Sequence, residues 1–259
     1  MRSDTPASTD QIPSLTPQPT LGALRGQAWL TVQTRQAQRL IQGRNGSNEK
    51  PAIIGLVGFA DRLRLIWQAA RNDDPYADWW LIRIHEAIDQ ARELVRRSQS
   101  EIDEKLAQSP SIEVRVAASL RPYRIPLQFA NPYAYQGAHL IGEYDTLVRT
   151  LLSGCHVGLL DRASTERSAQ LAGRRIRGVF LLPQSYRFLG IDRASVQRQD
   201  EKAKRAQALM GDLPPVVLSG EQQAPEVPRK LNFPEGYRKA ATETSLRPVP
   251  DSDSRHGEE

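Results

Sequence analysis

Residues 75–108 read PYADWWLIRIHEAIDQARELVRRSQSEIDEKLAQ and form the longest stretch of helical periodicity in the 259-residue chain. At ~1.5 Å per residue, a helix of this length extends about 50 Å, more than a compact core needs. Its apolar positions recur at alternating intervals of three and four, nearly the seam of a coiled coil: Leu81, Ile84, Ile88, Ala91, Val95, Ser98 and Ile102. The seam predicts a packing partner, either an antiparallel helix of the same chain or a second subunit.

Further helices are predicted on both sides of this segment. Pro51 opens one that runs through AIIGLVGFADRLRLIWQAAR, and a broad apolar face extends over about 134–161. Two more are predicted at about 164–182 and 193–210, and the second of these is so polar that it faces solvent or a partner. The chain is therefore predicted to be a bundle of long helices.

Residues 29–34, WLTVQT, instead have the alternation of a short strand. A helical pattern that Thr34 can cap follows at once, so a strand-helix element is predicted over 29–42. The strand's side chains divide between two faces: Leu30 and Val32 on the apolar one, Thr31 and Gln33 on the polar one.

Two segments after the long helix also alternate, at 111–119 and 123–131, and predict a β-hairpin. Pro126 in the second arm lacks the N–H of an inner strand and indicates an edge or irregular strand. The predicted fold class is mainly α with a small β component (α+β): a long-helix bundle with a short N-terminal strand and a β-hairpin.

The composition changes at both ends of the chain. Residues 1–20 contain four prolines among Ser, Thr and Gln, and residues 219–259 are Pro-rich, mixed in charge and poor in apolar residues. Such segments bury too little apolar surface to offset chain entropy, so a disordered arm and a disordered tail are predicted. One helical globular domain is predicted between them, over 21–218.

Positive charge is concentrated in one part of the chain. From Arg162 to Arg205 there are eleven Lys/Arg and four Asp/Glu, a local charge of +7 against +5 for the whole chain. Of the 35 basic residues 29 are arginine, whose planar fork suits phosphate and guanine. The codon bias of a GC-rich genome explains that preference equally well, but not the clustering.

The basic stretch supplies candidate phosphate contacts in two predicted helices. Positions 198, 202 and 205 share one helix face, and positions 174 and 177 share another. The alternative is a solvated face partly paired with Glu166, Asp200 and Glu201. The candidates are Arg174, Arg175 and Arg177 in the first helix, and Arg198, Lys202, Lys204 and Arg205 in the second.

Residues that perform catalysis or bind metals do not converge in the sequence. His139 and Glu143 stand four apart, but two ligands at this spacing occur often by chance. The acidic segment DDPYAD at 73–78 is explained by capping of the long helix more readily than by magnesium. The loops GRNGSN and GLVG lack a nucleotide-binding fingerprint. We therefore predict no enzyme activity, metal, cofactor or small-molecule substrate.

The cellular compartment is indicated by two further features. Cys155 is the only cysteine, which excludes a disulfide within the chain and fits a reducing compartment. No stretch approaches the roughly 18 apolar residues of a membrane span, and the first residues contain no apolar signal core. A cytoplasmic protein without membrane association is predicted.

Four phrases together resemble a known family: TRQAQRLIQGR at 34–44, DDPYADWWL at 73–81, EYDTLVRTLLSGCHVGLLDR at 143–162 and MGDLPPVVLSGE at 210–221. They are similar to proteins of bacterial integrating conjugative elements that are grouped with AcaB-like transcriptional activators of conjugative plasmids. The likeness spans about residues 25–225. The resemblance implies that the gene lies on a mobile element. It also implies that the protein is a transcriptional regulator of conjugative transfer genes, with activator as the favoured role.

The strand-helix element is a second candidate for DNA contact. Outward Thr31 and Gln33, followed by Arg35, resemble the opening of a ribbon-helix-helix protein. In such proteins two subunits pair their strands and place the ribbon in the major groove. The loop from Gly43 to Lys50 is longer than usual for that class, and an ordinary edge strand is the alternative. The predicted partners are double-stranded DNA and a second copy of the chain.

Two other functions stay open. The heptad seam and the Pro-rich ends favour a non-catalytic interaction or adaptor factor of the conjugative machinery. A DNA-processing enzyme of a new type is the third hypothesis, since conjugation needs such activities.

Overall fold

The computed structural model describes residues 26–47, 51–108 and 113–230. Within these ranges the fold is mainly α with a small β component, as predicted, and a 3₁₀ turn lies at Leu182–Ser185. The elements are β1 (Ala28–Val32), α1 (Arg35–Gln42), α2 (Leu56–Arg71), α3 (Pro75–Ala107), β2 (Tyr123–Leu127), α4 (Pro132–His156), α5 (Arg162–Leu181), α6 (Arg193–Arg198), α7 (Glu201–Met210) and α8 (Pro215–Ser219).

The long helix α3 begins where local chemistry dictates. The Asp74 carboxylate accepts hydrogen bonds from the backbone N–H groups of Tyr76 (2.9 Å) and Ala77 (3.2 Å). Pro75 occupies the first helical position, where no backbone donor is needed. Five seam residues have at most 2 % of their surface exposed: Leu81, Ile84, Ile88, Ala91 and Val95.

The partners of α3 come from the same chain, and one of them runs parallel to it. The Arg92 guanidinium lies 3.6 Å from the Glu143 carboxylate, and Gln99 Nε2 donates to Thr150 Oγ1 at 3.2 Å. Positions on α3 and α4 thus increase together, so the helices are parallel. A parallel pair needs a long connection, which residues 108–131 provide.

The second partner, α5, runs antiparallel to α3. Trp80, near the start of α3, donates from Nε1 to the Leu182 carbonyl (3.3 Å) and to Ser185 Oγ (3.1 Å) just beyond the end of α5. Gln90, further along α3, accepts a hydrogen bond from Arg175. The seam thus has, as predicted, an antiparallel neighbour within the same chain, and α5 is one.

The predicted β-hairpin does not form. Of its two arms, only Tyr123–Leu127 is a strand, and it pairs antiparallel with β1, where Leu30 lies opposite Ile125 and Trp29 opposite Pro126. Residues 113–119 have no regular secondary structure, and 111–112 lie outside the described residues. Pro126 thus lies in a two-stranded ribbon, in which both strands are edges.

Side chains of α4 explain why 113–119 does not pair as a strand. The backbone N–H of Ala117 donates to Ser153 Oγ at 2.9 Å, and its carbonyl accepts from Arg149 Nε at 2.8 Å. Backbone groups must be satisfied, and here helix side chains supply the partners. Alternation of residue types alone could not reveal this competition.

Several predicted helix boundaries are wrong, including the end of the helix expected over about 134–161, which lies at His156. The helix expected to open at Pro51 begins at Leu56, because Ile53 forms a backbone bridge with Arg44 through two 2.8 Å hydrogen bonds. The helix predicted over 193–210 is two helices.

The break between α6 and α7 has a clear local cause. Gln199 adopts the left-handed region (φ 53°), and Asp200 then caps α7 by accepting from the Ala203 N–H at 2.9 Å. Aspartate is among the residues preferred at helix N-caps, so a new helix begins directly after Asp200.

The ordered chain continues beyond the predicted domain end. Ala224 is buried in the core, and the Glu226 N–H donates to Tyr133 Oη at 3.2 Å. The first part of the tail predicted over 219–259 therefore packs on the helices as far as residue 230. The predicted arm, 1–20, and the remainder of that tail lie outside the described residues. None of the described helices combines the length and apolar character that a bilayer span requires.

Candidate nucleic-acid interface

A buried carboxylate fixes the junction between β1 and α1. Asp145 of α4 accepts hydrogen bonds from the backbone N–H of Gln33 (2.9 Å), the backbone N–H of Thr34 (2.8 Å) and the Thr34 hydroxyl (2.7 Å). Thr34 Oγ1 in turn accepts from the Ala37 N–H at 3.2 Å and caps α1, as expected. Sequence reasoning missed Asp145 because its partners lie far away along the chain.

The three predicted contacts of the strand-helix element occupy different environments. Thr31 is exposed on the outer face of β1, and Arg35 is exposed at the first position of α1. Gln33 is half-buried, and its side-chain oxygen accepts from the Ser119 N–H at 2.8 Å. Thr31 and Arg35 are therefore accessible, whereas the Gln33 amide already holds the loop before β2.

The outer face of the ribbon adds a basic and an aromatic side chain. Arg124 of β2 lies opposite Thr31, and its guanidinium carbon is 4.4 Å from the ring centre of Trp29. Trp29 is 45 % exposed, which is unusual for tryptophan. Arg124 was not a predicted site residue, since the sequence assigned its segment to a separate hairpin.

The arginines of α5 separate into two groups. Arg174 and Arg175 are exposed, whereas Arg177 is half-buried, and a Cβ on Gly173 would lie within 3.6 Å of both Arg177 and Tyr144. Burial raises the pKa of Tyr144 to about 12, and the positive charge of Arg177 opposes that rise. Arg174 and Arg177 therefore do not present one common exposed face.

The four predicted phosphate contacts on α6 and α7 are exposed: Arg198, Lys202, Lys204 and Arg205. Because the helix breaks at Gln199, the face that Arg198 was predicted to share with 202 and 205 does not exist as a single helical surface. In the described ranges, none of the seven basic candidates forms an ion pair. Asp200 caps a helix instead, and Glu166 pairs with Arg162 at 3.0 Å.

Arg193 belongs to the same basic stretch but has a structural role. Its Nε lies 3.0 Å from the Asp73 carboxylate, it also pairs with Asp78, and it donates to the Leu218 carbonyl at 2.8 Å. Lys230 pairs with Asp73 at 2.5 Å. These bonds join α6 and α8 to the start of α3. Of the acidic segment 73–78, only Asp74 has the predicted capping role.

Asp74 also meets a tyrosine in the core. The Tyr186 hydroxyl donates to Asp74 Oδ2 at 2.6 Å. Burial raises the pKa of Asp74 from 3.8 to about 6, against the opposing effects of the Tyr186 and backbone hydrogen bonds. Burial likewise raises the pKa of Asp78, against the attraction of Lys230 and Arg193. Neither Tyr186 nor Arg193 had a sequence signal that linked it to this carboxylate pair.

The fold and its surfaces define a mainly α-helical protein with an N-terminal ribbon and, on its later helices, several exposed arginines that form no ion pair within the described residues. The family model described as "Transcriptional regulator AcaB" matches residues 20–229. The chain therefore belongs to the AcaB family of transcriptional regulators, and the resemblance noted over about 25–225 is confirmed.

A solved structure supports the fold. It is that of "selenomethionine-containing AcaB from uropathogenic E. coli", which is 17 % identical and has a TM-score of 0.50. The similarity covers 76 % of this chain and 95 % of the other. The comparison with curated proteins gives no match.

Proposed function

We propose that this chain is a DNA-binding activator of conjugative transfer genes, encoded on an integrating conjugative element and acting in the cytoplasm. The observation that carries the proposal is the set of exposed basic side chains on α5, α6 and α7 that no carboxylate neutralises in the described ranges. Unpaired surface cations attract the phosphate backbone, whose condensed counterions they release. Membership of a family of transcriptional regulators supports the same conclusion.

Two surfaces would divide the work of recognition. The outer face of the β1–β2 ribbon offers Thr31 and Arg124 to base edges, and a two-stranded ribbon fits the major groove. Arg35 lies beside it at the start of α1. The helical surface would contact phosphates: Arg174, Arg175, Arg177, Arg198, Lys202, Lys204 and Arg205.

The active form we propose is a homodimer. Each β1 already uses one edge for β2, so a second copy would pair along the other edge of β1. A two-fold ribbon of this kind predicts a palindromic operator. Sedimentation analysis of the free protein and of its DNA complex would measure the stoichiometry, and a strictly monomeric complex would contradict the dimer.

The central experiment is a fluorescence-anisotropy titration of promoter DNA from the same element against wild-type protein. A triple variant, Arg198→Gln, Lys202→Gln and Arg205→Gln, should weaken binding and reduce the salt slope by about 3, since each lost phosphate contact removes roughly one unit. Thr31→Ala with Arg124→Ala should reduce the preference for the promoter over shuffled DNA. Arg64→Gln, an exposed arginine of α2, is the matched control.

Absence of saturable binding at low salt would overturn the proposal. The sign of regulation needs a separate reporter assay, in which the promoter's output should rise when the protein is expressed. A fall would make the chain a repressor.

A non-catalytic adaptor is the second candidate, and exposed leucines favour it. Leu171 and Leu181 on α5 are 52 % and 47 % exposed, and Leu209 on α7 is 53 % exposed. The heptad seam no longer supports this reading, because helices of the same chain cover it. A stable protein partner that is lost on Leu171→Ser, without any effect on DNA binding, would favour the adaptor.

A further inference from the structure

A cleft between α3 and α5 brings arginines from distant parts of the chain together. Its volume is about 390 Å³, within the range of about 300–1,000 Å³ typical of small-ligand pockets. The charged side chains that line it are Arg83, Glu86, Arg174 and Arg175, with a net formal charge of +2. A cleft of one predominant sign concentrates ions of the opposite sign.

Arg83 is held in place by two aromatic rings. Its guanidinium carbon lies 5.3 Å from the ring centre of Trp79 and 4.8 Å from that of Trp80. Trp80 is itself fixed, since it is buried and donates to the Leu182 carbonyl. When an aromatic ring stacks on the flat face of a guanidinium, the N–H donors around the guanidinium's edge stay free to bind a ligand. These two contacts limit the positions that the Arg83 side chain can adopt before a ligand binds.

The α5 side of the cleft carries positive charge and leaves the helix backbone open to a ligand. Arg175 donates to Gln90 across the cleft, which orients its guanidinium. Gly178 lines the same wall, and a Cβ there would meet nothing within 4 Å, so a ligand can approach the helix backbone. In the part of the chain that the structure describes, neither Arg83, Arg174 nor Arg175 forms an ion pair. Among the described residues, Glu86 is the one carboxylate that lines the cleft beside these three cations.

We propose that this cleft binds a phosphate group, either of the DNA backbone or of a free phosphate ester. Guanidinium forks from two helices can engage the oxygens of one phosphate in a bidentate manner. Glu86 repels the ligand and lowers its affinity. The site shares Arg174 and Arg175 with the proposed DNA contact but does not depend on it, because a free ester could fill the cleft alone.

The test uses the full chain and two probes. Pyrophosphate is titrated while the tryptophan fluorescence is followed, because Trp79 and Trp80 lie against Arg83. Promoter DNA is titrated by anisotropy in parallel. Arg83→Gln and Arg174→Gln should each lower the affinity for the probe that binds in the cleft by about tenfold, the usual effect of losing a hydrogen bond to a charged group. Glu86→Gln should tighten binding, and Arg64→Gln should change nothing.

Circular dichroism and thermal melting first show whether each variant folds like the wild type. If Arg83→Gln does not, Arg83→Lys replaces it, because lysine retains the positive charge but lacks the planar fork of the guanidinium. Pyrophosphate binding that depends on Arg83 and Arg174 supports the proposal with a free ester as ligand. If only DNA binds and the same residues matter, the phosphate is that of the backbone. If neither probe responds to these substitutions, the cleft proposal is overturned, and DNA binding that persists unchanged would leave the proposed function standing.

Discussion

Arginines meet the long helix α3 at two places, and their surroundings differ sharply. At its start, Arg193 is paired with Asp73 and Asp78, and its side chain is only 13 % exposed. Further along, Arg83, Arg174 and Arg175 border an open cleft, and among the described residues Glu86 is the one carboxylate that lines it. A buried cation needs compensating charges, whereas an accessible one is stable in water without them. The first group therefore stabilises the fold, and the second is available to a ligand.

Removing the paired arginine should have the largest effect on stability. Arg193→Gln leaves the Asp78 side chain, which is 3 % exposed, with Lys230 as its remaining cation. Breaking a buried pair in this way typically costs about 3–5 kcal/mol of unfolding free energy. Urea unfolding would measure the loss. A cost below about 1 kcal/mol would mean that the pair is no more than a surface salt bridge.

Loss of the carboxylate at the ribbon junction should rank second. Asp145→Ala removes three hydrogen bonds and leaves the N–H groups of Gln33 and Thr34 without their partner. We expect a cost of about 2–3 kcal/mol, because hydrogen bonds to charged groups are the stronger kind. Hydrogen exchange of these two amides should accelerate more than that of α4 amides. Uniform acceleration would show that Asp145 supports the whole fold instead of the junction.

The buried Asp74 should make stability depend on pH. Its folded pKa of about 6 lies above the ordinary value of 3.8, so its contribution is full below about pH 4 and is lost as the pH rises through 6. Asp74→Asn can still cap α3 but does not titrate. Between pH 4 and pH 7 the variant should gain roughly 2–3 kcal/mol relative to wild type. Parallel stability profiles would contradict the shifted pKa.

Changes at the cleft should have the smallest effect on stability. Arg174→Gln alters an exposed side chain without an ion pair in the described ranges, so unfolding free energy should change by less than about 0.5 kcal/mol. Thermal melting would test this beside Arg193→Gln. If Arg174→Gln proved as destabilising as Arg193→Gln, the contrast between the two groups would be lost.

The helices were predictable where short-range chemistry dominates. Period-three and period-four apolar spacing located α3 within one residue at its C-terminal end, and Pro75 after an acidic residue marked its start. The strand-helix element at 29–42 was equally predictable, from the alternation of apolar and polar residues in the strand and from Thr34 as the helix cap. By contrast, the predicted hairpin over 111–131 was wrong, because side chains of α4 bond to the backbone of Ala117 in its first arm.

The candidate site was predictable in part. Residue counting found the basic stretch from 162 to 205, but it could not separate Arg193 from Arg174, since Asp73 and Asp78, the carboxylate partners of Arg193, are distant in sequence. Arg83 had a local signal, its spacing of three and four residues from Trp80 and Trp79, although that spacing says nothing about α5 on the other side of the cleft.

Family membership, helix content and the excess of arginine follow from the chain's own local patterns and composition, because these depend on neighbours within a few residues. Tertiary packing alone paired β2 with β1, made α4 parallel to α3, and brought Arg83 and Arg174 to the same cleft. It also paired Arg193 with Asp78 while leaving the cleft arginines open. Those outcomes depend on which side chains, distant in sequence, bond to a given backbone group or pair with a given charge. Only the folded chain brings these groups together.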